Sequence, residues 1–277
     1  LQQGGASERS SSGMVLHLDV DRAVFDKTPW WSEPLQVTAA SAQVKLNYDP
    51  LTLDLGLLQA EVNGTDLSLS GTAALTPLGW SFDGQGRVPS VDTQTVLTLW
   101  PEMLSAKSRR WFGQNVRKGT LKNLSFDLRQ AAGTAAVLAS SFQFEEAEVK
   151  FMRHMPVISE GLGYGVFERD EFILALEAGY VQAAEGGRLD MDGSTMRVPN
   201  IRVPDPRVIF DRKGRGSVTT LMSLKDNKPL QIPTTTKLGI DDVHGPAPLA
   251  AQIESHLNEA LTSTATPTAS TATPNYP

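Results

Sequence analysis

Histidine is the side chain best suited to acid–base chemistry and metal binding at neutral pH. The sequence has four, His17, His154, His244 and His256, which are isolated from one another and from any acidic residue at the spacing of a metal site. It has no cysteine, which excludes a disulfide scaffold, a thiolate zinc site and a cysteine nucleophile. We therefore predict no catalytic residues, no metal and no cofactor.

Two short motifs resemble ligand-binding loops but lack their context. The DMDG segment at 190–193 resembles the start of a calcium loop, yet Ile201 stands where that loop needs a bidentate Glu. A carbohydrate-active β-solenoid enzyme would need a carboxylate cluster on one exposed face, and the sequence shows none. The second motif consists of three alternating glycines, Gly161, Gly163 and Gly165. They precede a strand, whereas a phosphate-binding loop links a strand to a helix. Their spacing therefore predicts a bulge or a close backbone approach.

Most of the chain alternates between apolar and polar residues, which is the period of a strand with one buried face. Ala42, Val44 and Leu46 alternate with polar residues, and the Asn63-Gly64 pair is the strongest hairpin signal in the sequence. Similar short segments bounded by Gly, Pro or Asn continue to residue 211. The pattern predicts a mainly β protein built of antiparallel hairpins.

One stretch departs from this alternation and predicts a helix over 101–118. Pro101 suits the first helical position, and Gly119 suits the position after the last turn. The apolar residues between them recur at helical spacing: Met103, Leu104, Trp111, Phe112 and Val116.

The second half of this predicted helix is basic. Its side chains either form a solvated face that complements the helix dipole or contact phosphate, for example that of lipid headgroups. The candidate headgroup contacts are Lys107, Arg109, Arg110, Arg117 and Lys118.

The remaining organisation follows from composition and period. We predict a linker or disordered end at 1–13, a β segment at 14–245, an amphipathic helix at 246–262 and a disordered tail at 263–277. The helix prediction depends on Pro248 and on a stripe of Leu249, Ile253, Leu257 and Leu261. Segments 41–71 and 146–179 share Ala-x-Val-Lys, a later Pro and a closing Gly, so we predict two similar meanders joined by the helix at 101–118.

The charge balance and the chain start restrict the partners. Thirty-one acidic residues against twenty-five basic ones give a net charge of −6, which argues against a nucleic-acid partner. The chain begins without Met and has no apolar stretch long enough for a signal or a membrane span. We expect a fragment of a longer protein, with any targeting segment or membrane anchor outside it.

The segment LWPEMLSAKSRRWFGQNVRKGTLKNLSFDLR resembles the AsmA-like (YhdP) family. The shared order is Trp100-Pro101, then Arg110-Trp111, then Gly119 before the next strand. The resemblance continues through residues 142–200 and covers roughly residues 40 to 232. Members of this family are bridge-like lipid transport proteins of the Gram-negative envelope.

This resemblance implies a long twisted antiparallel sheet curled into an open groove, a β-taco, with an apolar interior. It implies a non-enzymatic, periplasmic section of a protein anchored to the inner membrane through a segment outside this chain. The implied cargo is phospholipid travelling between the inner and outer membranes in support of outer-membrane lipid homeostasis, and other envelope proteins are additional candidate partners.

In this interpretation the inward-facing apolar residues line a lipid groove. The alternative is a structural or adhesive β-sandwich or solenoid module, in which the same residues form a closed core. The candidate lining is Val44, Leu46, Leu53, Leu55, Val62, Leu67, Leu69, Phe126, Leu128, Phe144, Val149, Phe151, Phe172, Leu174 and Leu176.

Overall fold

The computed structural model of the chain describes residues 13–26, 31, 33–102, 106–151, 156–185, 187–217, 219–220, 224 and 246–256. In these residues two helices and fourteen strands follow one another along the chain. The elements are β1 (Gly13–Val20), β2 (Ala23–Phe25), β3 (Leu35–Tyr48), β4 (Leu51–Val62), β5 (Thr65–Thr76), β6 (Gly79–Asp92), α1 (Thr93–Leu99), α2 (Ala106–Asn115), β7 (Val116–Gln130), β8 (Val137–Val149), β9 (Ile158–Glu168), β10 (Glu171–Gln182), β11 (Arg188–Asp190), β12 (Ser194–Val198), β13 (Arg207–Ser217) and β14 (Pro246–His256).

The strands form one large, open antiparallel sheet, so the mainly β prediction is confirmed. Its order is β1-β3-β4-β5-β6-β7-β8-β9-β10-β11-β13-β12, with β2 also on β3 and β14 on β13. The strands β11 and β12 both pair with β10 and β13, at different points along them. Most neighbours in the sheet are therefore neighbours in sequence, as expected of a meander.

The chain divides into two compact units. Unit 1 contains the described residues of Leu1–Thr28, Glu33–Pro89 and Ser125–Ala139, which include β1 to β5 and most of β6. Unit 2 contains those of Pro29–Ser32, Ser90–Leu124 and Ser140–Pro277, which include both helices and β9 to β14. The strands β6, β7 and β8 contribute residues to both units.

The predicted hairpin turn at Asn63-Gly64 joins β4 to β5, with φ angles of 50° and 73°. Such positive values at both positions match the twist of the flanking strands, and Asn and Gly tolerate them best. The corresponding turn between β9 and β10 is Arg169-Asp170, with φ angles of 50° and 69°. The two hairpins contain the segments that resemble each other in sequence. The internal repeat of these segments stays a prediction.

The single helix predicted over 101–118 is wrong in its bounds, because α1 and α2 replace it. Asp92 begins α1 by accepting hydrogen bonds from the N–H groups of Gln94 and Thr95. Trp100 leaves the helical conformation, with ψ at 113°, because a residue before proline avoids it. Pro101 thus marks the end of α1 and begins no helix, and Gly119 lies inside β7.

The amphipathic helix predicted over 246–262 is also wrong where the structure describes the chain. Residues 246–256 form β14, which pairs with β13 along eleven successive residue pairs. Residues 257–262 and the predicted tail at 263–277 lie outside the described residues, as do residues 1–12. A spacing of four residues, as between Leu249 and Ile253, fits the period of a strand as well as that of a helix. The segment forms a strand because the backbone of β13 provides its hydrogen-bond partners.

Candidate apolar ligand-binding face

Unit 1 carries an apolar face built from rows of cross-strand pairs. Directly paired residues of an antiparallel sheet point to the same side, so the register defines each row. One row runs across five strands as Met14, Leu46, Leu53, Ala73 and Phe82. The adjacent rows are Leu16, Val44, Leu55, Gly71 and Gly84, and then Leu18, Ala42, Leu58, Leu69 and Gly86.

We call these three rows, with the neighbouring pairs Leu75–Trp80 and Ala60–Leu67, the apolar face of unit 1. Many of its large side chains remain open to solvent. Exposed fractions between 37% and 50% are found at Met14, Leu16, Leu18, Leu53, Leu75, Trp80 and Phe82. A contiguous apolar surface of this kind is unusual for a protein that has no ligand or partner to cover it.

The opposite side of the same strands is polar. Asn47 donates hydrogen bonds from its amide to the Thr52 hydroxyl at 2.8 Å and to the Asp54 carboxylate at 3.4 Å. Gln43 lies on this side, and the bulge at Gly56 brings Leu57 opposite Gln43. The bulge reverses the alternation, so Leu53 and Leu57 of β4 point to opposite sides although four residues separate them.

Gly84 leaves a shallow trough in the apolar face, whereas a Cβ atom at its paired residue Gly71 would approach the Asp83 carbonyl oxygen to 2.6 Å. A Cβ atom at Gly84 would meet only the Ser70 carbonyl oxygen, at 3.5 Å, so the space above this residue is open. The rings of Trp80 and Phe82 stack on one side of the trough, with centroids 6.3 Å apart. On the other side the ring of Phe126 lies directly over Gly86.

The apolar face is closed toward the β4–β5 turn. Val62 pairs with Val37 and with Thr65, and all three side chains are buried. The open part of the face therefore extends from these residues to the turn between β5 and β6.

Unit 2 is organised differently, because its apolar residues enclose an interior. The five fully buried side chains among the described residues all belong to unit 2: Val181, Leu189, Val208, Thr220 and Leu224. Phe144 and Leu176, two of the predicted lining residues, are only 6% exposed.

The alternating glycines of β9 belong to this interior. Gly163 pairs with Phe144 and Leu176, and Gly165 pairs with Phe142 and Leu174. The phenylalanine rings lie across the glycines at distances that leave no room for a Cβ atom. These glycines therefore allow a close approach, as their spacing predicts.

The predicted lining residues thus fall into two groups. Nine belong to unit 1: Val44, Leu46, Leu53, Leu55, Val62, Leu67, Leu69, Phe126 and Leu128. Six belong to unit 2, where Val149, Phe151, Phe172 and Leu174 are half-buried and Phe151 lies 6.3 Å from Phe210, centroid to centroid. The sequence prediction left out the members of the apolar face that lie in β1 and β6. The two-residue spacing of Leu16 and Leu18, and of Trp80 and Phe82, is nevertheless visible in the sequence.

The five predicted headgroup contacts are separated by secondary structure. Arg109 of α2 donates hydrogen bonds to the carbonyl oxygens of Leu97, at 3.0 Å, and Trp100, at 3.1 Å, and so caps the end of α1. Lys118 lies in β7, 3.2 Å from the Glu146 carboxylate. The other three side chains, Lys107 and Arg110 of α2 and Arg117 of β7, are exposed.

Two ionisable groups of unit 2 have shifted pKa values. Burial raises the pKa of Asp92, but hydrogen bonds from Thr95 and Gln94 outweigh this effect and hold it below the ordinary value of 3.8. The hydrogen bond and charge of Glu171 raise the pKa of Arg197. Both groups serve the fold, the first as a helix cap and the second as a cross-strand ion pair.

The described residues include no group of three or more His, Asp or Glu side chains arranged to hold a metal ion. His17 lies on β1, whereas His154 and His244 lie outside the described part of the chain. Neither α1 nor α2, nor any other helix among the described residues, has the length and apolar character needed to cross a bilayer.

Comparison of the chain with protein-family models, with curated proteins and with solved structures finds no match in any of the three.

Proposed function

We propose that this chain is a section of a periplasmic bridge-like protein that carries phospholipids between the inner and outer membranes. Acyl chains would lie on the apolar face of unit 1, with the sheet curled around them as an open groove. The anchor to the inner membrane would belong to a segment outside this chain. This proposal combines the family resemblance of the segment around Trp100 with the surface described above.

The observation that carries the proposal is the exposure of the apolar face of unit 1. Five strands at about 4.8 Å spacing make a surface about 19 Å wide, large enough for the extended part of an acyl chain. Each methylene buried there would contribute about 0.8 kcal/mol, so ten would contribute about 8 kcal/mol before the entropic cost of binding.

The composition of the face favours a ligand with long apolar chains. The three rows contain no charged and no hydrogen-bonding side chain. Recognition would therefore come from apolar burial, which depends on area and discriminates little between headgroups.

The bulge at Gly56 provides a matched pair of variants to test the proposal. Leu53 and Leu57 have the same side chain, lie in the same strand and are 40% and 49% exposed, but only Leu53 lies on the apolar face. Leu53→Asp would place a charge among the acyl chains, whereas Leu57→Asp would place it on the polar side. Because both side chains are already half-exposed, the two changes should affect folding similarly.

The measurement is the phospholipid that co-purifies with each variant, quantified by native mass spectrometry and by lipid extraction. We expect lipid on the wild-type chain and on Leu57→Asp, and a strong loss on Leu53→Asp. Absence of lipid from the wild-type chain, or equal amounts on the two variants, would contradict the proposal.

The enclosed interior of unit 2 favours a second function for that unit, namely a structural or adhesive module with a closed core. Its deepest side chains, Val181 and Val208, are completely buried and leave no surface for a ligand. If lipid contacts map only to unit 1 after photo-crosslinking, unit 2 takes no part in lipid binding.

A further inference from the structure

Among the described residues, the outer edge of β1 has no partner strand. Among the described strands, β1 pairs only with β3, in an unbroken register over all eight residues. Proteins usually protect such edges with lysine or other charged residues, with proline or with a bulge, and of these Gly13–Val20 contains only the charged residue Asp19. Its side chains are exposed up to Asp19 and include Met14, Leu16 and Leu18. The backbone of this strand can therefore accept another strand.

The sequence of β1 is complementary to itself. His17 and Asp19 lie on its polar side, whereas Leu16, Leu18 and Val20 lie on its apolar side. In an antiparallel pair of two copies centred on Leu18, His17 of each copy stands opposite Asp19 of the other. Leu18 then meets Leu18, and Leu16 meets Val20, on the apolar side.

Other registers lose this complementarity. Centring the pair on His17 places the two histidines opposite each other, and centring it on Leu16 places Asp19 opposite Gly13. A shift by a single residue places Leu18 opposite His17 and mixes the two sides of the sheet. The register centred on Leu18 is thus selected both by the polar His17–Asp19 pairs and by the separation of apolar from polar residues.

We propose that two copies of this chain associate through their β1 strands, antiparallel and centred on Leu18. The two sheets then become one, and the apolar faces of both copies lie on the same side of it. The dimer does not depend on lipid transport, and lipid transport does not depend on the dimer, so each can fail alone.

A charge exchange tests the predicted register with the full 277-residue chain. His17→Glu places two acidic residues opposite each other in the dimer, and Asp19→Lys places lysine opposite histidine. Each change should weaken dimerisation roughly tenfold, because the dimer contains the altered pair twice. In an equimolar mixture of the two variants, the introduced glutamate faces the introduced lysine at one position and the wild-type His17–Asp19 pair returns at the other, so the mixture should dimerise at least as well as the wild-type chain.

Sedimentation equilibrium at low ionic strength measures these effects as the fraction with twice the monomer mass of 30.0 kDa. Asp66→Lys, an equal change of charge on the exposed side of β5, should leave dimerisation unchanged. A monomeric wild-type chain would overturn the proposal. So would a dimer that tolerates the single variants, or one that the mixture fails to restore, because either would use another surface or partner.

A disulfide measures the same geometry independently of charge. The chain contains no cysteine, so Leu18→Cys introduces a single thiol that faces its counterpart across the symmetry axis. Mild oxidation should give a covalent dimer quickly. Leu75→Cys, on the exposed apolar face in β5 but far from the edge, should form one much more slowly. Equal rates for the two variants would overturn the proposed register.

Discussion

Gly163 of β9 lies where the chain has no room for even a methyl group. A Cβ atom there would overlap the carbonyl oxygen of Ala175 and approach Cζ of Phe144 to 2.7 Å. The first obstacle is a backbone atom, so a side-chain rotation cannot relieve the overlap, and β9 and β10 must separate. Overpacking of this kind costs about 1–3 kcal/mol, and the backbone shift places Gly163→Ala toward the upper end.

Part of this cost is offset because alanine restricts the unfolded chain more than glycine, which is worth about 0.5–1 kcal/mol. The net effect should be a loss of about 2 kcal/mol, or about 4–8 °C in the melting temperature of a domain of 150–250 residues. Gly84→Ala is the matched control, because its Cβ atom would meet only the Ser70 oxygen at 3.5 Å. It should be neutral or slightly stabilising.

Differential scanning calorimetry of the two variants measures this contrast and resolves separate transitions of the two units if they occur. Gly163→Ala should lower the transition that includes unit 2, whereas Gly84→Ala should lower none. An unchanged melting temperature for Gly163→Ala would refute the claim that β9 needs glycine for close packing. An equal loss in both variants would show that glycine flexibility, and not space, is what matters.

Two further predictions concern the helices. Asp92→Ala removes the cap of α1 and should cost about 1 kcal/mol at neutral pH, whereas Asp92→Asn should keep most of it. Folding lowers the pKa of Asp92, so its charge stabilises the folded protein at pH values above the ordinary pKa of 3.8. This stability is lost as the pH falls through the pKa of the folded state. Thermal unfolding at neutral and acidic pH should show this loss in the wild type and not in Asp92→Asn. Arg109→Ala removes the hydrogen bonds to the carbonyl oxygens of Leu97 and Trp100 and should cost about 1–2 kcal/mol in denaturant unfolding, whereas the exposed neighbour Lys107→Ala should cost less than about 0.5 kcal/mol. Equal losses in the last two variants would mean that Arg109 acts only as a surface charge.

Local signals predicted the strands well, because a two-residue period can be read directly from the sequence. The alternation around Val44 and Leu46 identified both the strand and its apolar side, and Asn63-Gly64 identified a turn that needs positive φ angles. The helical signals were harder to interpret. Pro101 is compatible with a helix start and with the end of a preceding helix, and only the cap at Asp92 shows which applies.

The error at 246–256 has the same origin. Leu249 and Ile253 are four residues apart, which fits one side of a helix and one side of a strand equally well. The decision came from β13, whose backbone groups β14 satisfies over eleven residue pairs. A partner distant in sequence thus outweighed the local preference of the segment.

By itself, the sequence determined that the protein is mainly β and which residues alternate toward an apolar side. Only the tertiary structure decided what happens to that side, because exposure depends on the elements packed above a strand and not on the strand itself. In unit 1 Leu53 and Phe82 remain open to solvent, whereas in unit 2 Phe144 and Leu176 are enclosed. The bulge at Gly56 makes the same point locally, since it turns Leu57 away from the face that its spacing from Leu53 would assign to it.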